Sequence, residues 1–250
     1  MTANATAFSF EPVFLALALV AAALYWREAR ADSPPRWRIV AFATGLFLIA
    51  GSLNSPLETI ASKYLLLMHL LQNALIADVA PLLVVLGLTP QMRVKLARHG
   101  LGRLRSRWIL PLWLGAWYLT HLAPFYDWAL RTGWGLNLEH GILMAAGLLF
   151  WWPIVSGRLS PPAGLGYLAV AFIGSSFLGL AYIFSSSPFY SFYEHAPRLW
   201  GLSPTRDQNL GGIFMNGEQT LVFLLAIGWF VVRLLDEEHA AREPASLSDS

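Results

Sequence analysis

KYLLLMHLLQNALIADVAPLLVVLG, residues 63–87, is the stretch whose reading decides the fold. It is apolar and exceeds the roughly 20 residues a helix needs to cross a bilayer. It nevertheless carries His69, Gln72, Asn73 and Asp78. Such side chains are costly in hydrocarbon, and where they occur they mark functional positions. His69, Gln72 and Asn73 stand at i, i+3 and i+4, so one helix face presents all three. Asp78 lies deeper, about 24 Å from the outer end, and either pairs with a buried polar group or marks a proton path. Pro81 predicts a kink close by.

Working outward, the composition agrees. Of 250 residues 56% are hydrophobic and 13% charged, against about 25% charged in soluble domains. With no cysteine, disulfides, zinc ribbons and thiolate metal carriers are excluded. Any metal would need His, Met or oxygen ligands. Before the first apolar run there is no Lys or Arg, so the run reads as a retained span with its N-terminus outside.

Hydropathy gives an all-α, seven-span membrane domain covering 1–250. The spans are near 8–26, 37–53, 63–87, 108–128, 137–155, 164–184 and 213–235, and 236–250 reads as a disordered cytoplasmic tail. Gly174, Ser175, Ser176 and Gly179 interrupt the sixth run as small residues that let helices approach closely. Thirteen Lys and Arg fall on one side of this topology and four on the other. The richer side is cytoplasmic, so the C-terminus is inside. The basic 88–107 loop is a topology determinant at an anionic lipid surface, not a nucleic-acid site. His99 and His239 fall on that inner side. On the outer side, 185–212 is a 28-residue connection, longer than structureless loops usually are, and so is functional or partly helical. Its Phe189, Tyr190, Phe192, Tyr193 and Trp200 suit either an interfacial belt or a lid over an outward-facing site.

Depth singles out three histidines. His69, His121 and His140 sit on three different spans in the same outer third of the bilayer. Met144 is one turn from His140, and Met215 opens the last span; both are either packing residues or soft ligands. Imidazole suits copper, and thioether its reduced form. Glu139, Asp127 and Asp207 lie at the outer boundary, placed to attract a cation or orient an imidazole.

Several segments, in order, resemble one family: SPLETIASKYLLLMHLLQN at 55–73, APLLVVLG at 80–87, WYLTHLAPFYDWAL at 117–130, LEHGILMAAGLLFWWPI at 138–154 and SPTRDQNLGGIFM at 203–215. The chain is similar to the seven-span CtaG family of cytochrome c oxidase assembly factors. The resemblance implies a multi-pass protein of the bacterial cytoplasmic membrane that matures a haem–copper oxidase by helping copper reach it. Its partners would be oxidase subunits and membrane lipids, and it implies no enzyme. His121, His140, Asp207 and Gln208 fit the family pattern. Asn73 stands where that pattern sets a second histidine, and Asn216 follows Met215 where Trp is common. The expected site therefore has His69, His121 and His140 as ligands of copper, and Met144 and Met215 as soft ligands. Gln72, Asn73, Asp207 and Gln208 stand behind them or at the entrance. The alternatives are a haem-binding membrane cytochrome with paired axial histidines, and a transporter or interaction protein without metal. A retinal protein is excluded, since spans four to seven contain no Lys.

Overall fold

The computed structural model describes residues 4–242. Among them every regular element is helical. The order is α1 (Pro12–Asp32), α2 (Arg36–Leu53), α3 (Pro56–Lys63), α4 (Leu66–Ala74), a π-helical turn (Leu75–Val79) and α5 (Ala80–Gly87). Then come α6 (Pro90–Arg98), α7 (Ser106–His121), α8 (Ala123–Arg131), α9 (Gly133–Val155), α10 (Pro161–Phe184), α11 (Ser191–His195) and α12 (Pro204–Arg242). Six helices are long and apolar enough to cross a membrane, α4 to α5 being one continuous element of them. Apolar side chains such as Phe47, Phe177 and Leu225 remain exposed on their outer faces, as expected where hydrocarbon is the solvent.

Three sequence expectations need correction. The run 108–128 is not one helix. It breaks at the extended Leu122, because Pro124 has no N–H to give and its ring would meet the carbonyl one turn back. The 16 residues of α7 span only about 24 Å, short of the ~30 Å hydrocarbon core. The last helix begins at Pro204, not near 213, so Met215 lies about three turns inside it rather than in its first turn. The same helix runs on through 236–242, which were expected to be disordered; 243–250 lie outside the described residues.

The 63–87 stretch is also more divided than its hydropathy suggests. Tyr64 and Leu65 leave helical geometry between α3 and α4. That break exposes the first N–H groups of α4, which have no partner within the helix. Asp207 supplies one from α12: its carboxylate accepts from Leu66 N at 2.8 Å and Leu67 N at 3.0 Å. Lower down, the π-turn inserts one extra residue into the ladder, as such turns often do at functional sites. Gly147 of α9 packs against this turn so closely that a Cβ there would sit 1.9 Å from the Ala77 carbonyl oxygen. The small residues of α10 do serve packing: Gly179 faces Asn216 of α12, with no room for a side chain.

Two apolar layers result. Trp113, Phe150, Trp151, Phe223 and Phe230 fill one half between α7, α9 and α12. Leu66, Leu70, Trp117, Tyr126, Tyr182, Tyr190, Tyr193 and Met215 fill the other. The polar site lies in the second half.

Candidate metal centre

His69 projects from α4 and His140 from α9, and their ring centroids are 5.7 Å apart. Glu139, the neighbour of His140, turns into the same space. His69, Glu139 and His140 each offer a ligand atom within 4.8 Å of the other two. Their burial is almost complete, at 0%, 0% and 1% exposure.

The hydrogen bonds fix which ring nitrogen of His69 is free. Tyr193 Oη donates its single proton to the Ala61 carbonyl at 2.5 Å. Its contact with His69 Nδ1 at 2.8 Å must then be one in which Nδ1–H donates and the phenol accepts. Nε2 is left facing Glu139 Oε2 at 3.4 Å. A lone pair on Nε2 and a carboxylate oxygen repel at that distance. Something positive belongs between them, either a proton that makes His69 an imidazolium or a metal ion. His69 Nε2, Glu139 Oε2 and both His140 nitrogens have no hydrogen-bond partner. Buried polar atoms are normally paired, so three unpaired ligand atoms, one from each residue and within 4.8 Å of one another, are an arrangement a metal ion can satisfy.

A second layer holds these groups in place. Asn73 Nδ2 donates to Glu139 Oε1 at 3.0 Å, which aims the other carboxylate oxygen at the histidines. Gln72 donates to Glu58 Oε2 at 2.6 Å and to the Ser52 carbonyl at 3.0 Å, tying α4 to α2 and α3. Burial pushes the Glu58 carboxyl up to about 7, against the Gln72 hydrogen bond and the His69 charge.

The outer connection closes over this layer. Asp127 of α8 accepts from Ser191 N at 3.1 Å and Phe192 N at 2.9 Å, so α11 is pinned at its start. Tyr190 stacks on Tyr126 at 4.2 Å and donates to the His121 carbonyl at 2.8 Å. Burial raises both Tyr190 and Tyr193 well above the ordinary phenol range. Of the two readings of this loop, these two tyrosines behave as a cover, whereas Trp200 is exposed like a belt residue.

The expected residues separate into groups. His69 and His140 come together. His121 does not join them: Tyr126 lies between, 5.0 Å from the His69 ring and 5.8 Å from the His121 ring. His121 is oriented by the Trp117 carbonyl at 2.7 Å from Nδ1, and its Nε2 is unpartnered. Met144 packs in an apolar cluster with Phe14, Ile49 and Ile76, and Met215 sits among the aromatic residues of the outer layer. Asp207 caps α4, and Gln208 accepts from Phe189 N at 2.7 Å and donates to the Ser187 carbonyl at 3.2 Å. Gln208 thereby braces the cover, and Asp207 braces α4. Glu139, read from sequence as a boundary acceptor, is central; Tyr193 was read only as one of the aromatics of a belt or lid, and Glu58 was not singled out. Asp78 pairs with a buried polar group, accepting from Trp151 Nε1 at 2.8 Å.

Fold and site together define a multi-pass helical membrane protein with a buried imidazole–carboxylate centre. The family model for the cytochrome c oxidase caa3 assembly factor, Caa3_CtaG, matches residues 17–237, and the chain belongs to that family. No curated protein and no solved structure matches it.

Proposed function

We propose that this assembly factor carries copper to the oxidase from the His69–Glu139–His140 centre. The observation that supports it most is the facing pair of acceptors, His69 Nε2 and Glu139 Oε2, beside the unpartnered His140 ring. Two imidazoles and a carboxylate suit a borderline divalent ion such as Cu(II) better than soft Cu(I). Met144 and Met215, placed in apolar clusters, are packing residues in this reading. His121, across Tyr126, is a further imidazole toward which an ion would pass on its way in or out. Copper is cargo here and the protein no enzyme; oxidase subunits receive it.

In this reading α7 and α8 together make a seventh, broken crossing in a bacterial cytoplasmic membrane. The centre then faces outward, with the N-terminus outside and the C-terminus inside, a reading supported by the thirteen-to-four division of Lys and Arg. Single cysteines at Ser106 and Ser203 test this cleanly, because the chain has no cysteine of its own. A membrane-impermeant thiol reagent should label Ser203→Cys and spare Ser106→Cys in intact cells; the reverse pattern overturns the orientation.

Function is tested by the copper content and activity of the oxidase in cells carrying His140→Ala. Both should fall several-fold and recover in part with excess copper in the medium. Normal oxidase in His140→Ala and His69→Ala cells would leave protein contacts, not metal, as the basis of assembly.

A further inference from the structure

The opposite half of the molecule has a site of another kind. A cavity of about 630 Å³ opens between α2, α5, α9 and α12, walled by apolar side chains including Leu82, Leu86, Val222 and Leu225. Arg38 and Arg93 also line it. A second cavity of about 580 Å³ adjoins it, sharing Arg93, Val155 and Trp229, and adds Arg158 and Arg233. Among the described residues no carboxylate lines either one.

Among the described residues only Arg233 of these arginines meets a carboxylate, that of Glu237, which lines neither cavity. Arg38 Nη1 donates to the Leu86 and Leu88 carbonyls at 2.9 and 2.7 Å and its guanidinium stacks on Trp37. Arg93 spends one nitrogen on the Val155 carbonyl at 2.5 Å, and its buried Nε has no partner. Arg158 binds the Leu101 and Gly102 carbonyls, each at 3.0 Å. Arg233 stacks on Trp229 and reaches only Glu237, at 3.4 Å. Burial and the charge of Arg38 both lower the affinity of Arg93 for its proton, the mark of a cation lacking an anion.

We propose that the paired cavities bind one anionic phospholipid from the leaflet on the basic side. An acyl chain fills the apolar chamber, and the phosphate lies against Arg93 and Arg233. The order of the two cavities, apolar toward the bilayer middle and basic toward its edge, matches the order of parts in a phospholipid. A neutral lipid satisfies the first cavity and leaves Arg93 without an anion. Inorganic phosphate satisfies the second and leaves the chamber empty. Basic pockets between membrane helices on the cytoplasmic side hold anionic headgroups for the same reason.

The test is thermal unfolding of the delipidated full-length protein in neutral detergent. Phosphatidylglycerol, phosphatidylcholine and inorganic phosphate are added separately. Phosphatidylglycerol should raise Tm by about 5 °C, and the other two should not. Two variants should abolish that shift. Arg93→Gln/Arg233→Gln removes the charges not engaged in holding loop carbonyls in pairs, and Ala226→Trp fills the chamber while leaving every arginine in place. If the double variant does not fold, Ala226→Trp alone decides. Equal shifts from both lipids, a shift from phosphate alone, or a phosphatidylglycerol shift that survives Ala226→Trp would each overturn the proposal.

Discussion

The two halves of one membrane-crossing element differ sharply. The α4 half is cross-braced by polar contacts: Asp207 caps its start, Tyr193 and Asn73 fix its site groups, and Gln72 ties it to Glu58. The α5 half is tied only at its C-terminal end, where Tyr25 and Arg38 donate to the Gly87 and Leu86 carbonyls, and it borders open apolar space rimmed by arginine. Between them lies the π-turn, clamped by Gly147. The difference teaches that in hydrocarbon the polar residues of a span set its rigidity as well as its chemistry. An unsatisfied polar group has no water to fall back on, so Gln72, Asn73 and Asp78 each take a partner from another helix.

Breaking the braced half should have the largest effect. Glu139→Ala leaves Asn73 Nδ2 without its acceptor and His69 Nε2 without the carboxylate it faces in a buried site. It should destabilise the protein by about 3–5 kcal/mol, the usual cost of breaking a buried ion pair from one side. Denaturant unfolding in detergent measures it, and Glu139→Gln should recover part of the loss. A cost under about 1 kcal/mol would mean the cluster is not braced through this carboxylate. The clamp comes next. Gly147→Ala forces a Cβ into the backbone of the π-turn and should cost about 1–3 kcal/mol. The equivalent change at Gly141, where a Cβ meets nothing, should be neutral or better.

A third test uses pH. Burial raises the Glu58 carboxyl to about 7 in the folded chain from its ordinary 4.5. Between these values the folded protein holds a proton the unfolded chain has released, so stability falls as pH rises. The contribution is full below about 4.5 and lost through about 7, at about 1.4 kcal/mol per pH unit. Glu58→Gln should flatten that slope in Tm against pH; an unchanged slope would place the titration elsewhere. The smallest effect expected is at Tyr193. Tyr193→Phe removes the acceptor that fixes the His69 tautomer and should weaken metal binding about tenfold without abolishing it.

How much of this was legible follows from what hydropathy measures. It finds where a chain is apolar, not where its helices end. It therefore placed His69 and His140 at similar depth, and the structure joins them. It also set the start of the last span near 213, though the helix begins at Pro204. Asp207 consequently looked like an entrance residue rather than a cap on another helix. Glu139 looked like a boundary residue because the apolar run begins near 137, yet α9 starts at Gly133 and carries it inside. His121 shared the right depth but not the right direction: depth is one coordinate, and the ring of Tyr126 occupies the space between. Asn73 read as a histidine gone missing. In the structure it holds the Glu139 carboxylate beside the two imidazoles, a role that spacing along one helix cannot reveal.

The central claim is that His69, Glu139 and His140 hold one metal ion. The most direct measurement is copper bound per chain after equilibration with Cu(II) and dialysis against a weak chelator. The wild-type protein and His69→Ala/His140→Ala would be compared side by side. One ion per wild-type chain and none in the double variant is the predicted result. No retained copper in the wild type, or the same amount in both proteins, would contradict it and leave the Glu139 carboxylate paired only with a protonated His69.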